Sequence, residues 1–378
     1  ARCGFWVRRN DAVQRRESKV MFLENCWYMA AWDYELIEHK LLGRRLLNKA
    51  VVLYRGDSGK IIALEDQCAH RGARLSDGRR EGDCLRCMYH GLKYDATGKC
   101  IEIPGQERIP PNLKVKPYPL VEKQHIAWIW MGDPAKADES QIPDFPYLTD
   151  PKWAGKPGYL HYAANYLLVV DNLCDVTHMA WVHTHTLCGT EKYAYQSSIT
   201  PLDRYDRGVR GTRWHLNAPL APFVHKVFAS DDPVDRWNSS QMQIPGVFFL
   251  ESGFAPVGSE AAQNRDKEAC KQVPGVHWFE NIQVMTPETE STSHFFFDYM
   301  HQFGPERNDI TLSLYDSMWE GFHEDLHIIT HQQEILDRDP DFQFRAIAND
   351  GALSHFRWTL DKLIKEERTQ DQAKVAVA

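Results

Sequence analysis

The sequence lacks several patterns that would assign it to common classes of protein. No apolar run approaches the roughly 18 residues of a membrane span, and no long basic patch indicates a nucleic-acid partner. No G-x-G-x-x-G or Walker motif is present, so the chain has no evident nicotinamide, flavin or nucleotide site of its own. Any electrons that it uses are therefore expected to come from another protein.

Cysteine is irregularly spaced. The nine cysteines are an odd number with no regular framework, which argues against a disulfide scaffold and favours a reducing cytoplasm. The 378 residues exceed the usual size of one compact core, so two domains are expected. The net charge of −8, from 44 basic and 52 acidic residues, is unremarkable for a globular protein.

Four residues form a pattern that predicts a metal site: Cys68, His70, Cys87 and His90. The pattern is C-x-H, sixteen intervening residues and C-x-x-H. Two thiolates and two imidazoles are the ligands of a Rieske [2Fe–2S] cluster, in which two His replace two Cys on one iron. The alternative is structural zinc, but zinc sites of this composition usually place both Cys in one arm and both His in the other. Mixed arms therefore favour the cluster.

Composition along the chain predicts two domains with a short extension. Residues 21–135 are expected to form the cluster domain, and a connector rich in Pro and Asp leads to a second domain at residues 136–378. Residues 1–20 are rich in Arg and have no apolar core, so they do not resemble a signal peptide. They are interpreted as an N-terminal extension, derived from a cloning vector or upstream sequence, or as a mobile basic arm. Predicted strands are 51–54, 61–64, 126–130, 247–250 and 294–297, and predicted helices are 167–182, 311–336 and 353–368.

A second cluster of possible ligands lies in residues 171–183. Asn172, Asp175 and His178 are spaced i, i+3 and i+6, which predicts one polar stripe on a helix. A lone His on such a face is more often a packed core residue, whereas an Asp beside a His usually orients the ring as a ligand. Two His and one carboxylate form the facial triad of non-haem Fe(II) oxygenases. The segment therefore indicates a second, mononuclear metal.

The remaining ligands are not decided by spacing alone. His183 lies five positions beyond His178 and off its helical face, whereas His185, seven positions on, returns to it. His183 is a ligand only if the helix ends or bulges between the two. The carboxylate must come from elsewhere, and Glu324 and Asp325 are both candidates on helical grounds. A further stripe is interpreted as a solvated face rather than a metal site: His323, His327 and His331.

The chain resembles the Rieske non-haem iron oxygenases, and most of all the terminal oxygenases of the vanillate and dicamba O-demethylase type. The likeness runs from about Met21 to about residue 368. It is carried chiefly by CAHRGARLSDG, CMYHGLKYD, NYLLVVDNLCDVTHMAWVH and FHEDLHIITHQQ. It implies an α+β chain with an N-terminal all-β Rieske domain. The C-terminal catalytic domain would combine an antiparallel sheet with helices in a helix-grip-like arrangement.

The resemblance also implies roles for single residues. The cluster ligands would be Cys68, His70, Cys87 and His90, and the iron ligands would be His178, His183 and Asp325. Asp175 matches the carboxylate that joins a cluster His of one subunit to an iron-bound His of the next, within a homotrimer. Asn172 matches an Asn near the iron.

The activity implied is that of a terminal oxygenase that receives electrons from an external reductase or ferredoxin. It would use O2 to remove an O- or N-alkyl group, such as methyl, from an aromatic compound. Phe248, Leu250 and Gln283 are candidate substrate contacts, and because the strand at residues 244–250 has no cation, a neutral aromatic xenobiotic is expected. The alternatives are aromatic ring hydroxylation or cis-dihydroxylation by the same iron, and a Rieske electron carrier without catalysis, which the chain length disfavours.

Overall fold

A computed structural model describes residues 22–38, 41–196, 198–199 and 201–377. The predicted extension at residues 1–20 lies outside the described residues. The strands are β1 Trp27–Trp32, β2 Leu42–Leu46, β3 Lys49–Arg55, β4 Ile61–Glu65, β5 Arg79–Glu81, β6 Cys84–Arg86, β7 Lys93–Tyr94, β8 Cys100–Glu102, β9 Leu120–Lys123, β10 Ile126–Trp130, β11 Gly158–Tyr162, β12 Ser198–Ile199, β13 Asp203–Tyr205, β14 Gly208–Ala218, β15 Val234–Gln243, β16 Val247–Pro256, β17 His277–Pro287 and β18 Ser293–His301. The α-helices are α1 Glu35–Glu38, α2 Tyr166–Cys174, α3 Met179–Val182, α4 Tyr193–Gln196, α5 Pro222–Phe228, α6 Glu260–Gln263, α7 Lys267–Cys270, α8 Asn308–Arg338 and α9 Gly351–Val377.

The first ten strands form three small antiparallel sheets around the predicted cluster loops. Their orders are β1-β10-β9, β2-β3-β4 and β5-β6-β7-β8. The apolar run of β10 is buried at every position, as expected for a strand covered on both faces. The predicted strands at 51–54, 61–64 and 126–130 are confirmed.

The second half is built on one strongly antiparallel sheet of eight strands. The order is β11-β18-β17-β16-β15-β14-β12, with β13 also paired to β14. Short turns join β15 to β16 and β17 to β18, whereas α5 lies between β14 and β15, and α6 and α7 lie between β16 and β17. One face of the sheet packs against α2 and α8. The predicted strands at 247–250 and 294–297 are confirmed as parts of β16 and β18.

The two halves share one hydrophobic core. The buried Thr286 hydroxyl at the end of β17 donates to the Met29 carbonyl of β1 at 2.8 Å. Near the other end of the chain, the Glu367 carboxylate of α9 accepts from the backbone N–H groups of Glu24 and Asn25 at 3.0 and 2.8 Å. The halves therefore pack as one body.

The long helices α8 and α9 confirm the helices predicted at 311–336 and 353–368. The helix predicted over 167–182 is wrong as a single element. It ends at Cys174, continues as a 3-10 turn at Val176–His178 and resumes as α3. Among the described residues, no helix is both long and apolar enough to cross a membrane.

Candidate metal centres

The two predicted cluster loops have the same backbone design. Each Cys N–H donates to the carbonyl five residues later at 2.8 Å, and Gly72 and Gly91 donate back to the carbonyls of Cys68 and Cys87 at 2.9 and 3.0 Å. Both glycines have positive φ, 71° and 77°, a conformation that a side chain disfavours. Two tight loops thereby present their ligands side by side.

The side chains of the loops divide into a buried pair and an exposed pair. Cys68 and Cys87 are buried, whereas His70 and His90 are exposed with ring centroids 4.6 Å apart. The Tyr94 hydroxyl lies 3.2 Å from the Cys68 sulfur, and burial raises the pKa of Tyr94, so the hydroxyl keeps its proton. Two thiols and two imidazoles are the donor set of a Rieske cluster.

The second centre forms where α3 meets α8. The Asp325 Oδ1 atom lies 3.2 Å from His183 Nε2 and 3.6 Å from His178 Nε2. One ligand atom from each of the three residues lies within 4.8 Å of the others. His183 and Asp325 are buried, and His178 is half-buried. Of the two carboxylates considered from sequence, Asp325 is therefore the one that faces both rings.

In both rings the nitrogen that does not face Asp325, Nδ1, already has a hydrogen-bond partner. His178 Nδ1 lies 2.6 Å from the Asp175 carbonyl oxygen, and His183 Nδ1 lies 2.7 Å from Glu324 Oε2. Because both oxygens only accept, each Nδ1 carries the proton and each Nε2 presents a lone pair toward Asp325. Three electron-rich atoms that face one another repel unless a cation lies among them, so this donor set fits a metal ion.

The break in the helix explains why His183, not His185, reaches the site. Asp175 leaves the helical conformation, with φ −108° and ψ 87°, and its carboxylate accepts from the Thr177 N–H at 2.9 Å. This local bond competes with continuation of α2, so the predicted stripe of Asn172, Asp175 and His178 does not lie on one helix. His183 caps the end of α3, and His185 is exposed.

Close packing and electrostatics support the centre. A Cβ atom on Gly321 of α8 would lie 2.6 Å from the Leu187 side chain, so only Gly lets α8 approach this closely. The Asn172 amide donates to Asp325 Oδ1 at 3.0 Å. Burial lowers the pKa of His178, which favours its neutral, metal-binding form. For His183, burial is outweighed by the adjacent carboxylates of Asp325 and Glu324, and its pKa is raised.

A cavity of about 420 Å³ lies between α2 and the sheet. It shares Val176 and Arg213 with a smaller side hollow whose wall includes Thr177 and Met179, the two neighbours of His178. The wall of the cavity includes Phe248, whereas Leu250 lines the side hollow. Gln283 is buried, donates to the Asn281 side chain at 2.7 Å and is not part of the wall. The cavity also contains Arg213 from β14. It therefore differs from the neutral pocket expected from residues 244–250, because the cation comes from another strand.

Sequence reasoning missed three supporting residues. Glu324 was considered only as an alternative ligand, although its position beside Asp325 would have suggested a hydrogen-bond partner for a metal-binding His. Tyr94 follows the second cluster loop by a few residues and gave no signal of its own. Arg213 could have been found from the alternation of Arg213 and His215, which puts two basic residues on one face of a buried strand. The stripe of three further histidines is exposed, as predicted: His323, His327 and His331.

Comparisons with known proteins agree with this geometry. The model of the Rieske [2Fe-2S] domain matches residues 26–119, and that of the vanillate O-demethylase oxygenase C-terminal domain matches residues 162–366. The iron-sulfur subunit of a toluene-4-sulfonate monooxygenase system from Comamonas testosteroni is 43% identical over 92% of this chain and 98% of its own length. The dicamba O-demethylase oxygenase component of Stenotrophomonas maltophilia is 35% identical over 77% of this chain and 83% of its own.

A solved structure is also similar over nearly the whole chain. Dicamba monooxygenase bound to 3,6-dichlorosalicylic acid superposes with a TM-score of 0.84 at 29% identity, covering 92% of this chain and 99% of that one. A Rieske domain joined to an oxygenase domain defines the Rieske non-haem iron monooxygenases. This chain belongs to the vanillate O-demethylase oxygenase family within that class.

The family match confirms the predicted fold, enzyme class and cofactors, which are a [2Fe–2S] cluster and mononuclear iron. The match argues against the structural zinc site and against an electron carrier without catalysis. The predicted domain boundaries at residues 20/21 and 135/136 and the individual ligand assignments stay predictions.

Proposed function

We propose that this chain is the terminal oxygenase of a multicomponent system that removes an O- or N-alkyl group from an aromatic compound with O2. The observation that carries this proposal is the convergence of His178, His183 and Asp325 beside a hollow that adjoins a cavity large enough for an aromatic ring. A facial triad leaves coordination positions open for O2. The similarity to an O-demethylase oxygenase component supports dealkylation.

Seven residues would hold the two metal groups. The cluster ligands would be Cys68, His70, Cys87 and His90, and the iron ligands would be His178, His183 and Asp325. When bound, the cluster supplies single electrons and the iron activates O2 beside the substrate.

The protein groups around the triad fix its orientation. The Asp175 carbonyl holds the Nδ1 proton of His178, and Glu324 holds that of His183. The Asn172 amide keeps one oxygen of Asp325 directed at both rings. Substrate enters a site whose ligands do not need to rearrange.

We infer a homotrimer in which the cluster of one subunit lies against the iron site of the next. The cluster imidazoles are exposed, and Tyr89 beside His90 is 62% exposed. Trp181, between the two iron-site histidines, is 52% exposed. Two different exposed aromatic surfaces favour a head-to-tail contact, which closes into a ring. Asp175, half-buried above His178, would then connect the two centres.

The electron donor is a separate protein, either a reductase or a ferredoxin. The names of the relatives as an oxygenase component and as an iron-sulfur subunit of a system support this. The sequence also carries no recognisable dinucleotide motif.

Dealkylation follows from hydroxylation of the carbon bound to O or N. The resulting hemiacetal or hemiaminal collapses to an aldehyde and the dealkylated aromatic. A second candidate is hydroxylation of a ring substituent without dealkylation. The relative named for toluene-4-sulfonate favours it, because that compound has no O- or N-alkyl group.

A single turnover of the reduced, iron-loaded protein tests the reaction. The substrates would be methoxybenzoates, neutral N- or O-alkyl aromatics and toluene-4-sulfonate, with products identified by mass spectrometry. An aldehyde with a dealkylated aromatic supports the proposal. A mono-hydroxylated product without aldehyde supports the second candidate, and a product with two added hydroxyls contradicts both.

Asp175→Asn tests the connection between subunits. The Asn amide oxygen still accepts from Thr177, so the turn is expected to persist, whereas the negative charge is lost. We expect both metals to be retained and turnover to be nearly abolished. Normal turnover with full metal content would refute the bridge.

A further inference from the structure

Two arginines, one buried and one half-buried, line the hollow beside Thr177 and Met179, which flank His178. Arg213 of β14 is half-buried, and its Nε atom is buried with no hydrogen-bond partner among the described residues. Arg236 of β15 is 9% exposed and donates to the Tyr193 hydroxyl at 2.8 Å and to the Pro219 carbonyl at 3.2 Å, both neutral. Neither arginine forms a salt bridge within the described part of the chain. Buried charges are normally paired, so this arrangement is incomplete without an anion.

The other groups nearby do not supply that anion. His215 lies on the same face of β14, and its pKa is lowered to about 3 by burial and then by Arg236 and Arg213, so it is neutral. The Asp175 carboxylate acts on Arg213 through space, but burial still lowers the pKa of Arg213. Asp175 accepts from both the N–H and the hydroxyl of Thr177. The positive potential at Arg213 is therefore directed at the cavity.

The cavity offers the remaining features of an aromatic site. One part of its wall is apolar, formed by Leu173, Val176, Leu202, Val209, Met242 and Phe248. Arg213, Thr212 and Ser240 form a polar part opposite the helices. The cavity shares Val176, Arg213 and Ser240 with the side hollow, whose wall includes Thr177 and Met179 on either side of His178. Its volume of about 420 Å³ falls within the usual range of small-molecule pockets.

We propose that Arg213 is the specificity-determining residue that binds the acidic group, a sulfonate or a carboxylate, of the aromatic substrate. The ring would pack on the apolar wall, and Arg236 would reinforce the positive potential from the side hollow. A guanidinium suits this role because its planar donors match two oxygens of such a group. The inference rests on the proposed function, since it takes the cavity as the substrate site.

Binding to the oxidised holoenzyme, without reductase, provides the test. Isothermal titration calorimetry would compare toluene-4-sulfonate and 4-methylbenzoate with methyl 4-tolyl sulfone, a neutral molecule of similar shape. We expect the wild type to bind at least one anion about 10- to 100-fold more tightly than the sulfone, the range for a hydrogen bond to a charged group. The tighter anion distinguishes a sulfonate site from a carboxylate site.

Variants assign the preference to one residue. Arg213→Gln is expected to lose the preference for the anion while sulfone affinity changes little, and Arg213→Lys should retain part of it. The matched control is Arg210→Gln, three residues away on the same strand, where the side chain is exposed and bonded to Gln241. Visible absorbance of the cluster and total iron content verify that each variant is folded and loaded.

Two outcomes would overturn the inference. Equal affinity of the wild type for anions and sulfone shows that no anion site exists. An anion preference that survives in folded Arg213→Gln reduces Arg213 to a structural counter-ion of Asp175. Single turnovers separate this from the proposed function. Dealkylation of neutral aromatics without anion affinity removes only the role of Arg213, whereas anion binding without any oxygenated product removes only the oxygenase proposal.

Discussion

The two candidate metal centres are built in opposite ways. The cluster ligands lie on two short loops that their own backbone hydrogen bonds define, and the imidazoles are exposed. The iron ligands come from elements about 140 positions apart, and side chains hold them in a buried site. Electron entry requires access to another protein, whereas oxygen chemistry requires exclusion of water. Local sequence therefore determines the first centre, and tertiary packing determines the second.

The largest effect is expected from removal of an iron ligand. His178→Ala should lose the mononuclear iron and all turnover, while the visible absorbance of the cluster persists, because the two centres share no ligand. Iron content per chain and absorbance are the measurements. The control is His185→Ala at an exposed position, which should keep the iron. If His185→Ala lost the iron instead, the ligand assignment would be wrong.

Removal of the carboxylate that is hydrogen-bonded to an iron-site His should have a smaller effect on iron binding. Glu324→Ala deletes the carboxylate on His183 Nδ1 and is expected to weaken iron binding about 10- to 100-fold, the usual cost of losing such a partner. Titration of the iron-depleted protein with Fe(II) measures this. Glu334→Ala, an exposed site on the same helix, should change nothing. Unchanged affinity in Glu324→Ala would show that the ring is held by packing alone.

The cluster should respond in potential rather than in metal content. Tyr94→Phe removes the hydroxyl near the Cys68 sulfur, and hydrogen bonds to sulfur raise the potential. We expect a decrease of about 20–60 mV, which corresponds to one hydrogen bond at 59 mV per tenfold change. Redox titration measures it. Tyr54→Phe is the control, since that hydroxyl donates to the Asp83 carbonyl instead. A shift in the control and none in Tyr94→Phe would contradict the assignment.

The smallest effect is expected in the pH dependence of stability, to which the two halves contribute differently. In the cluster domain, hydrogen bonds from Arg86 and Arg79 hold the pKa of Glu81 far below its usual range. In the catalytic sheet, burial raises the pKa of Asp298 to about 7. Because the folded-state pKa is the higher one, this stabilisation is complete below the unfolded pKa near 4 and is lost as pH rises through about 7.

The melting temperature of the protein should therefore fall between pH 6 and pH 8, by about 2–4 °C for each kcal/mol lost. Asp298→Asn should reduce that fall, whereas Glu81→Gln should not affect it. Calorimetry at the two pH values measures both. An identical fall in Asp298→Asn would exclude Asp298 as its source.

The Rieske domain could be predicted from the sequence because its signal is local. The spacing of Cys68, His70, Cys87 and His90 and the adjacent glycines needs no knowledge of the rest of the chain. The apolar runs of β3, β4 and β10 were equally clear. The residues proposed for the iron site rest largely on the family resemblance, since periodicity alone pointed to His185 as readily as to His183.

The parts that were missed depend on packing between distant segments. The roles of Glu324 and Asp325 depend on which face of α8 packs against α3, and this is not apparent from the sequence of α8 alone. The position of Arg213 at the cavity follows from the register of β14 against β15, which pairs Arg213 with Asn238 and cannot be read from either strand. The break at Asp175 reflects competition between a side-chain bond and a helical one, a small energy difference that pattern analysis does not resolve.

The hydrogen bonds from the backbone amides of Glu24 and Asn25 to Glu367 have a consequence for biosynthesis. Glu367 is separated from Glu24 by 343 residues and from Asn25 by 342. The contact therefore forms only after nearly the whole described chain has left the ribosome. Until then the first strand of the cluster domain lacks its final restraint. A deletion that begins before residue 367 is therefore expected to loosen the edge of a domain that lies more than two hundred residues upstream.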